Sequence, residues 1–452
     1  MTKRIQNAKR FLGQPAFSAN LIISANPILF PHVPRAVMFM SIKISNRIFR
    51  ATYAIRDPPM MALVDKLKAR GKNIIELNIG DPGGLDGAYD FHVPKHIVSA
   101  FVQALENGKN EGYASSQGDL FVREAIATEA KSRGFKGASA QNVVTGQGVS
   151  EIVDFLFSAV LEKGRNVVLP RPDYPLYTAI ANYYEGETRY YDLDPKNGWL
   201  PDPKQIGQLI DENTAAVLII NPGNPTGSTY GKELLEQIIA EAGTAGGNRV
   251  PIISDEIYRE LRFSGKHVPI AALTSGVPVV TLDGLSKNHY APGYRMGFAV
   301  FSNFSGKDCA ALLDAVTKLT GFRLSTSKAA QHALFAAVTQ RKKHGKEYAA
   351  HLAKLKERTQ YACKRLAAIP GISITPPNGA FYALPKASGP WKSDKDFQKQ
   401  LLLEAGVFVV PGSGFGMPES ELYFRVVTLP PIEVQKQAYD KMEEFMKRHL
   451  HK

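Results

Sequence analysis

The chain carries an amine, two carboxyl or phenol partners, an amide and two guanidinium groups at positions that could share one pocket. Lys287 follows the apolar run Val277–Leu282 (VPVVTL), and Arg295 lies eight residues beyond it. Asp255 closes the run Val250–Asp255 (VPIISD), with Tyr258 three residues on. Asn224 sits in Asn221–Gly227 (NPGNPTG), directly after Ala215–Asn221 (AAVLIIN). Taken singly, each signal is weak. A lysine is usually a solvated charge, an aspartate at a strand end is more often a helix cap, and N-P-x-N-P-T-G is a good turn sequence. Taken together, they fall at the carboxyl ends of successive strands, where open α/β sheets gather ligands.

An amine nucleophile, an acid to hold a pyridinium nitrogen, phenol and amide donors, and an arginine for a phosphate are what pyridoxal 5'-phosphate requires. The elements that must position them are short β-branched runs alternating with amphipathic stretches. Candidate strands are Asn166–Pro170, Ala215–Asn221, Val250–Asp255, Val277–Leu282 and Gly297–Phe301, with a helix over Lys232–Ala242 between two of them. Near-continuously apolar strands separated by helices predict a mostly parallel sheet covered on both faces, an α/β large domain over residues 91–320. A long charged helix over Lys343–Ala368 follows, then short strands near Phe381–Leu384, Val407–Val410 and Tyr423–Val427 and a terminal helix from Pro431. This less regular order predicts a smaller α+β domain over 321–452, with residues 46–90 packing beside it and a cleft between the two.

The motif S-K-x-x-x-x-P-G-x-R-x-G is present as Ser286–Gly297, in order after N-P-x-N-P-T-G and after S-D-E-I-Y at Ser254–Tyr258. With these, the chain resembles the class I/II aminotransferases of fold-type I over about residues 45–450. The resemblance implies that Lys287 forms the Schiff base and shuttles the substrate proton, and that Asp255 pairs with the pyridine nitrogen. Asn224 and Tyr258 would hydrogen-bond the ring's 3-oxygen, and Tyr174, otherwise an ordinary core aromatic, would stack on the ring. It places the phosphate on Gly148, Val149 and Ser150, where glycines lead into a helix start and leave free N–H groups. Ser286 and Arg295 would complete that cradle. A lone G-x-G is weak evidence and is no dinucleotide fingerprint. Tyr113 resembles the tyrosine that reaches the partner's phosphate in a homodimer. For substrate, Arg425 would clamp the α-carboxylate with a bidentate fork, and Gly80 would let the backbone close over it. The alternative for Arg425 is a surface salt bridge, but its neighbours are apolar. One departure is visible: many members read S-x-S-K, whereas Gly284 offers no hydroxyl.

Four segments (53–58, 379–382, 411–416 and 424–431) resemble archaeal and bacterial alanine aminotransferases most closely. They imply transfer from L-alanine to 2-oxoglutarate, giving pyruvate and L-glutamate. Rival readings are an aspartate- or aromatic-preferring transaminase, or a β-eliminating lyase of the same fold. The net charge of +13 does not point to nucleic acid, because nine basic residues and no acid lie in residues 1–56, leaving +4 elsewhere. That basic stretch fits either an organellar transit peptide or a start of translation at Met38 or Met40. We expect residues 1–45 to be disordered or not translated. No apolar run is long enough for a membrane helix. The two cysteines, Cys309 and Cys363, form no C-x-x-C, exclude a cysteine zinc site and a disulfide framework, and fit a reducing compartment; the archaeal resemblance implies the cytoplasm. No metal is expected.

Overall fold

A computed structural model describes residues 44–450 apart from 52, 54, 56, 85–86 and 245–249, and the side chain of Asp308 is likewise left aside. The expectations for the basic N-terminal extension fall on residues 1–43, outside those described.

The framework is an eight-stranded sheet whose strands are numbered in chain order: β1 (Val143–Gly146), β2 (Asn166–Arg171), β3 (Glu187–Asp194), β4 (Leu200–Pro201), β5 (Thr214–Ile220), β6 (Ile252–Asp255), β7 (Val279–Gly284) and β8 (Gly297–Ser302). The spatial order is β1-β8-β7-β6-β5-β2-β3-β4. The central strands β7, β6, β5, β2 and β3 run parallel, while β8 is antiparallel to both its neighbours and β4 to β3. The mostly parallel sheet expected from the apolar runs is therefore present.

Why those runs are unbroken follows from where alternate residues go. In β5, Val217 and Ile219 enter one core with Leu235, Ile238 and Ile239 of helix Lys232–Thr244. Their neighbours Ala216, Leu218 and Ile220 enter a second core with Ile152, Val153 and Leu156 of helix Val149–Val160. A strand covered on both faces has no polar face to show, so alternation disappears. Helix Lys328–Gln340 also lays an alanine-rich face, Ala330, Ala333 and Ala337, into the first core.

A third core forms around helix Gly345–Ala368, helix Ile432–Leu450 and a three-stranded antiparallel sheet of Tyr382–Ala383, Phe424–Val427 and Val410–Pro411. Helix 432–450 buries Gln435, Ala438, Tyr439, Met442, Phe445 and Met446, a single stripe at helical spacing. Ile75 and Leu77 join this core, and Ile75–Glu76 pairs in parallel with Val407–Phe408. Among the described residues no helix is long and apolar enough to cross a membrane.

Candidate active site

The carboxyl ends of β5, β6 and β7 lie side by side because those strands are parallel neighbours. The polar residues that follow them therefore converge. Asn221–Pro225 leaves β5, Asp255 is the last residue of β6, and Leu285–Lys287 leaves β7. β1 leads into helix 149–160 through Gly148, whose φ of 79° only glycine adopts freely. The first N–H groups of that helix have no intrahelical acceptor. Arg295, itself at φ 50°, lies against this turn, its Nη2 donating to the Gln147 carbonyl at 3.2 Å. A Cβ on Gly148 would meet that Nη2 at 2.5 Å, so the turn and the guanidinium fit only with glycine there.

The converging groups line a cavity of about 810 Å³, within the range of small-molecule sites. Of the residues expected from sequence, Gly80, Val149, Ser150, Tyr174, Asn224 and Asp255 line it, as do Tyr258, Ser286, Lys287, Arg295 and Arg425. Gly148 stands behind the wall, against Arg295. Tyr113 is not among the lining residues and is 79% exposed on the surface.

Lys287 Nζ donates to the Gly80 carbonyl at 2.5 Å. Burial, then the nearby Arg425 and Arg295, pull its pKa down to about 8, against the opposing pull of Asp81. Asp255, 5% exposed, is pushed up to about 6 by burial and by the charges of Asp283 and Glu256. Hydrogen bonds from Tyr177 and the Ile257 amide oppose that rise. Asp255 forms no ion pair among the described residues. The Tyr258 hydroxyl shares a hydrogen bond of 3.0 Å with Tyr382, and burial drives its pKa well above the ordinary value.

Arg425 is 2% exposed and has no carboxylate beside it among the described residues. Its Nη1 donates to Asn224 Oδ1 at 3.1 Å and its Nη2 to the Asn78 carbonyl at 2.7 Å. Its plane lies between the rings of Tyr382 and Phe415, 4.6 and 4.8 Å from their centroids. Arg425 Nε and Asn78 Oδ1 are buried without partners. A buried guanidinium held by neutral groups is an unpaired charge, costly unless an anion joins it. The salt-bridge alternative for Arg425 is excluded by this placement. Gly80 has no room for a side chain, since a Cβ there would run into the Tyr382 hydroxyl.

Sequence reasoning missed Tyr177, whose hydroxyl donates to Asp255 Oδ2 at 2.7 Å, and Asn78 and Asp81 beside Gly80. It quoted Tyr382 and Tyr53 within longer segments without giving either a role. Tyr53 reaches Tyr174, the two hydroxyls lying 2.8 Å apart. The spacing Tyr174-x-x-Tyr177 was the one available signal, since it aims both rings to one side of a helix start.

A second cluster brings ligating atoms of His96, His344 and Glu347 within 4.8 Å of one another. The two imidazoles stack at 4.0 Å and 9°. Nearly parallel rings point their lone pairs side by side rather than at one ion, so this arrangement does not form a coordination site.

A family model described as aminotransferase class I and II matches residues 72–438. The glutamate-pyruvate aminotransferase AlaA of Haemophilus influenzae is 32% identical over 406 residues, 89% of this chain and 97% of that protein. The tyrosine aminotransferase of Homo sapiens is likewise 32% identical over 406 residues, covering 87% and 86%. The solved structure of an alanine aminotransferase from Pyrococcus furiosus matches with a TM-score of 0.84 at 38% identity, covering 90% of this chain and 100% of that one.

Proposed function

Since the chain belongs to the class I and II aminotransferases and is a pyridoxal-phosphate-dependent transaminase of fold-type I, we propose that it moves the amino group of L-alanine to 2-oxoglutarate. The products are pyruvate and L-glutamate. The observation that carries the reading is Arg425, a buried guanidinium that pairs with no carboxylate among the described residues and lines the same cavity as Lys287.

The cavity residues fit the cofactor that the family implies. The lining offers an acid without an ion pair among the described residues (Asp255), a helix start at Val149 and Ser150 with Arg295 beside its glycine turn, and an amine near charged groups (Lys287). When bound, pyridoxal phosphate supplies a carbonyl for the amino group and a ring that takes up the electron pair left when the α-proton departs.

Each residue then has a task. Asp255 would hold the ring nitrogen by charge, and Asn224 and Tyr258 would donate to the 3-oxygen. Tyr174 would cover a ring face. Val149, Ser150 and Ser286 would donate to the phosphate and Arg295 would balance its charge, with Gly148 allowing the close approach. Arg425 holds the substrate carboxylate through donors that its two internal bonds leave free. That grip would orient the α-hydrogen toward Lys287 Nζ, which would take the proton from Cα and deliver it to C4′ of the cofactor. An amine near pKa 8 is neutral often enough at physiological pH to act as that base. Tyr113, exposed and not among the residues lining its own cavity, would serve a second copy's phosphate, making the working unit a homodimer.

Alanine is the preferred donor because the relatives named for it include the Pyrococcus furiosus structure, at 38% identity. Identity alone does not separate alanine from tyrosine, for which a relative stands at 32%. One methylene in a pocket is worth only about 1–3 kcal/mol of discrimination. A panel of amino donors against 2-oxoglutarate tests the reading. Alanine should give pyruvate and glutamate in equal amounts and the highest kcat/KM. Pyruvate without glutamate, or a higher kcat/KM for tyrosine or aspartate, overturns it.

A further inference from the structure

Both oxygens of Asp255 already accept hydrogen bonds from neighbours in the wall of the cavity. The Ile257 amide donates to Oδ1 at 3.1 Å, and the Tyr177 hydroxyl donates to Oδ2 at 2.7 Å. Tyr177 is fully buried in helix Leu176–Tyr183, its ring 6.2 Å from Phe157 and 6.3 Å from Tyr174. Packing accounts for the ring but not for the hydroxyl, since phenylalanine would fill the same apolar space. The hydroxyl has one acceptor, and that acceptor is the acid at the end of β6.

We infer that Tyr177 is a positioning residue of the cofactor site, its hydroxyl holding Asp255 as a carboxylate with the remaining lone pairs turned to the cavity. The inference rests on the reading that Asp255 meets the cofactor's ring nitrogen. A carboxylate has about four lone-pair sites. Tyr177 and Ile257 occupy one on each oxygen and leave one on each for a protonated ring nitrogen.

The charge environment shows why this bond matters. Glu256 and Tyr258 follow Asp255 along the chain, Asp283 faces it from β7, Tyr382 from the small sheet and Tyr177 from its helix. The two carboxylates and burial favour the neutral acid, and among the described residues no cation pairs with Asp255. Only hydrogen-bond donors oppose them. Tyr177 cannot easily give up its proton, because burial and the neighbouring Asp255 drive its pKa well above the ordinary value. The proton therefore stays on the phenol and the bond runs toward the carboxylate. Without it, Asp255 becomes neutral nearer physiological pH, and a neutral acid holds a pyridinium nitrogen poorly.

The test uses the full chain freed of cofactor and the probe pyridoxamine 5'-phosphate, which has the ring and phosphate but no aldehyde to bond with Lys287. Its dissociation constant is measured on both sides of pH 6 for wild type, Tyr177→Phe, Asp255→Asn and the double variant. Wild type should lose affinity as the pH falls and Asp255 is protonated. In Tyr177→Phe that midpoint should move up by about one unit, with binding about tenfold weaker between the two midpoints. In the Asp255→Asn background, adding Tyr177→Phe should change affinity by less than about twofold. Replacing the side chain at 177 by 3-fluorotyrosine, which keeps the fold and strengthens the donor, should move the midpoint down. Equal midpoints for wild type, Tyr177→Phe and the fluorotyrosine variant overturn the inference while leaving the cofactor reading intact. Failure of wild type itself to bind the probe overturns that underlying reading instead.

Discussion

Replacing Arg425 with lysine separates charge from the geometry of the fork. A guanidinium has five N–H donors. Two are committed inside the protein, to Asn224 Oδ1 and to the Asn78 carbonyl, and three remain, including the unpartnered Nε. Those suffice for both oxygens of a substrate carboxylate. A lysine ammonium has three donors, and satisfying the same two internal acceptors leaves one. Arg425→Lys thus keeps the positive charge and loses one charge-assisted hydrogen bond to substrate, worth roughly 1.5–3 kcal/mol. At about 1.4 kcal/mol per tenfold, kcat/KM should fall roughly ten- to a hundredfold for both alanine and glutamate. The assay couples pyruvate to a dehydrogenase under steady-state conditions, with cofactor content measured in parallel. Cofactor content should be unchanged, because Arg425 is assigned to the substrate. Wild-type kcat/KM in the lysine variant, or a loss wholly explained by missing cofactor, would refute the assignment.

Two further outcomes follow from the same geometry. The amine of Lys287 is charged below its pKa and neutral above it, and only the neutral form attacks an aldehyde. Capture of pyridoxal phosphate by cofactor-free protein, followed by stopped-flow absorbance, should therefore speed up as pH rises and level off near 8; a rate still climbing toward the ordinary lysine value of 10.5 contradicts the burial argument. Gly284→Ser restores the hydroxyl that many relatives carry, yet a Cβ there would lie 2.6 Å from the Met296 carbonyl and 2.7 Å from Gly297 Cα. Calorimetry should show a loss of about 1–3 kcal/mol in stability, whereas unchanged melting with tighter cofactor binding would show that the backbone yields.

Which parts of this molecule could be read from its residues depended on how local their causes are. Strands β2, β5, β6, β7 and β8 are predicted to within a few residues because burial on both faces makes each an apolar run. β3 goes unnoticed because Glu187–Asp194 is half-exposed near the sheet's end and carries charges. β1, only four residues long, is defined by pairing with β8 rather than by its own pattern. The short strands expected near Phe381–Leu384, Val407–Val410 and Tyr423–Val427 are present, but their pairing, such as Tyr382 opposite Val427, joins segments far apart in sequence and is not visible in any one of them. The same division runs through the site. Lys287, Asp255 and Asn224 are legible because each follows a strand on its own segment. Tyr177, Asn78 and Tyr382 reach the same charges from other elements, and only Tyr177, three residues after Tyr174, carries a local mark.

The site's charges also explain why such a constellation persists in a folded chain. Among the described residues Asp255 pairs with no cation and Arg425 with no anion, and the helix start at Gly148 with Arg295 concentrates positive potential. Each arrangement costs stability without a ligand, since burial disfavours an unpaired charge. On the proposed reading each would be complemented by one part of the ligand set: a protonated ring nitrogen, a carboxylate and a phosphate. The protein tolerates the strain with neutral donors and acceptors, Tyr177 on the acid and Asn224 and Asn78 on the guanidinium. These groups hold the charges in place without neutralising them. A salt bridge in either position would stabilise the empty protein and compete with the ligand, so neutral partners are the arrangement that keeps the cavity ready to bind.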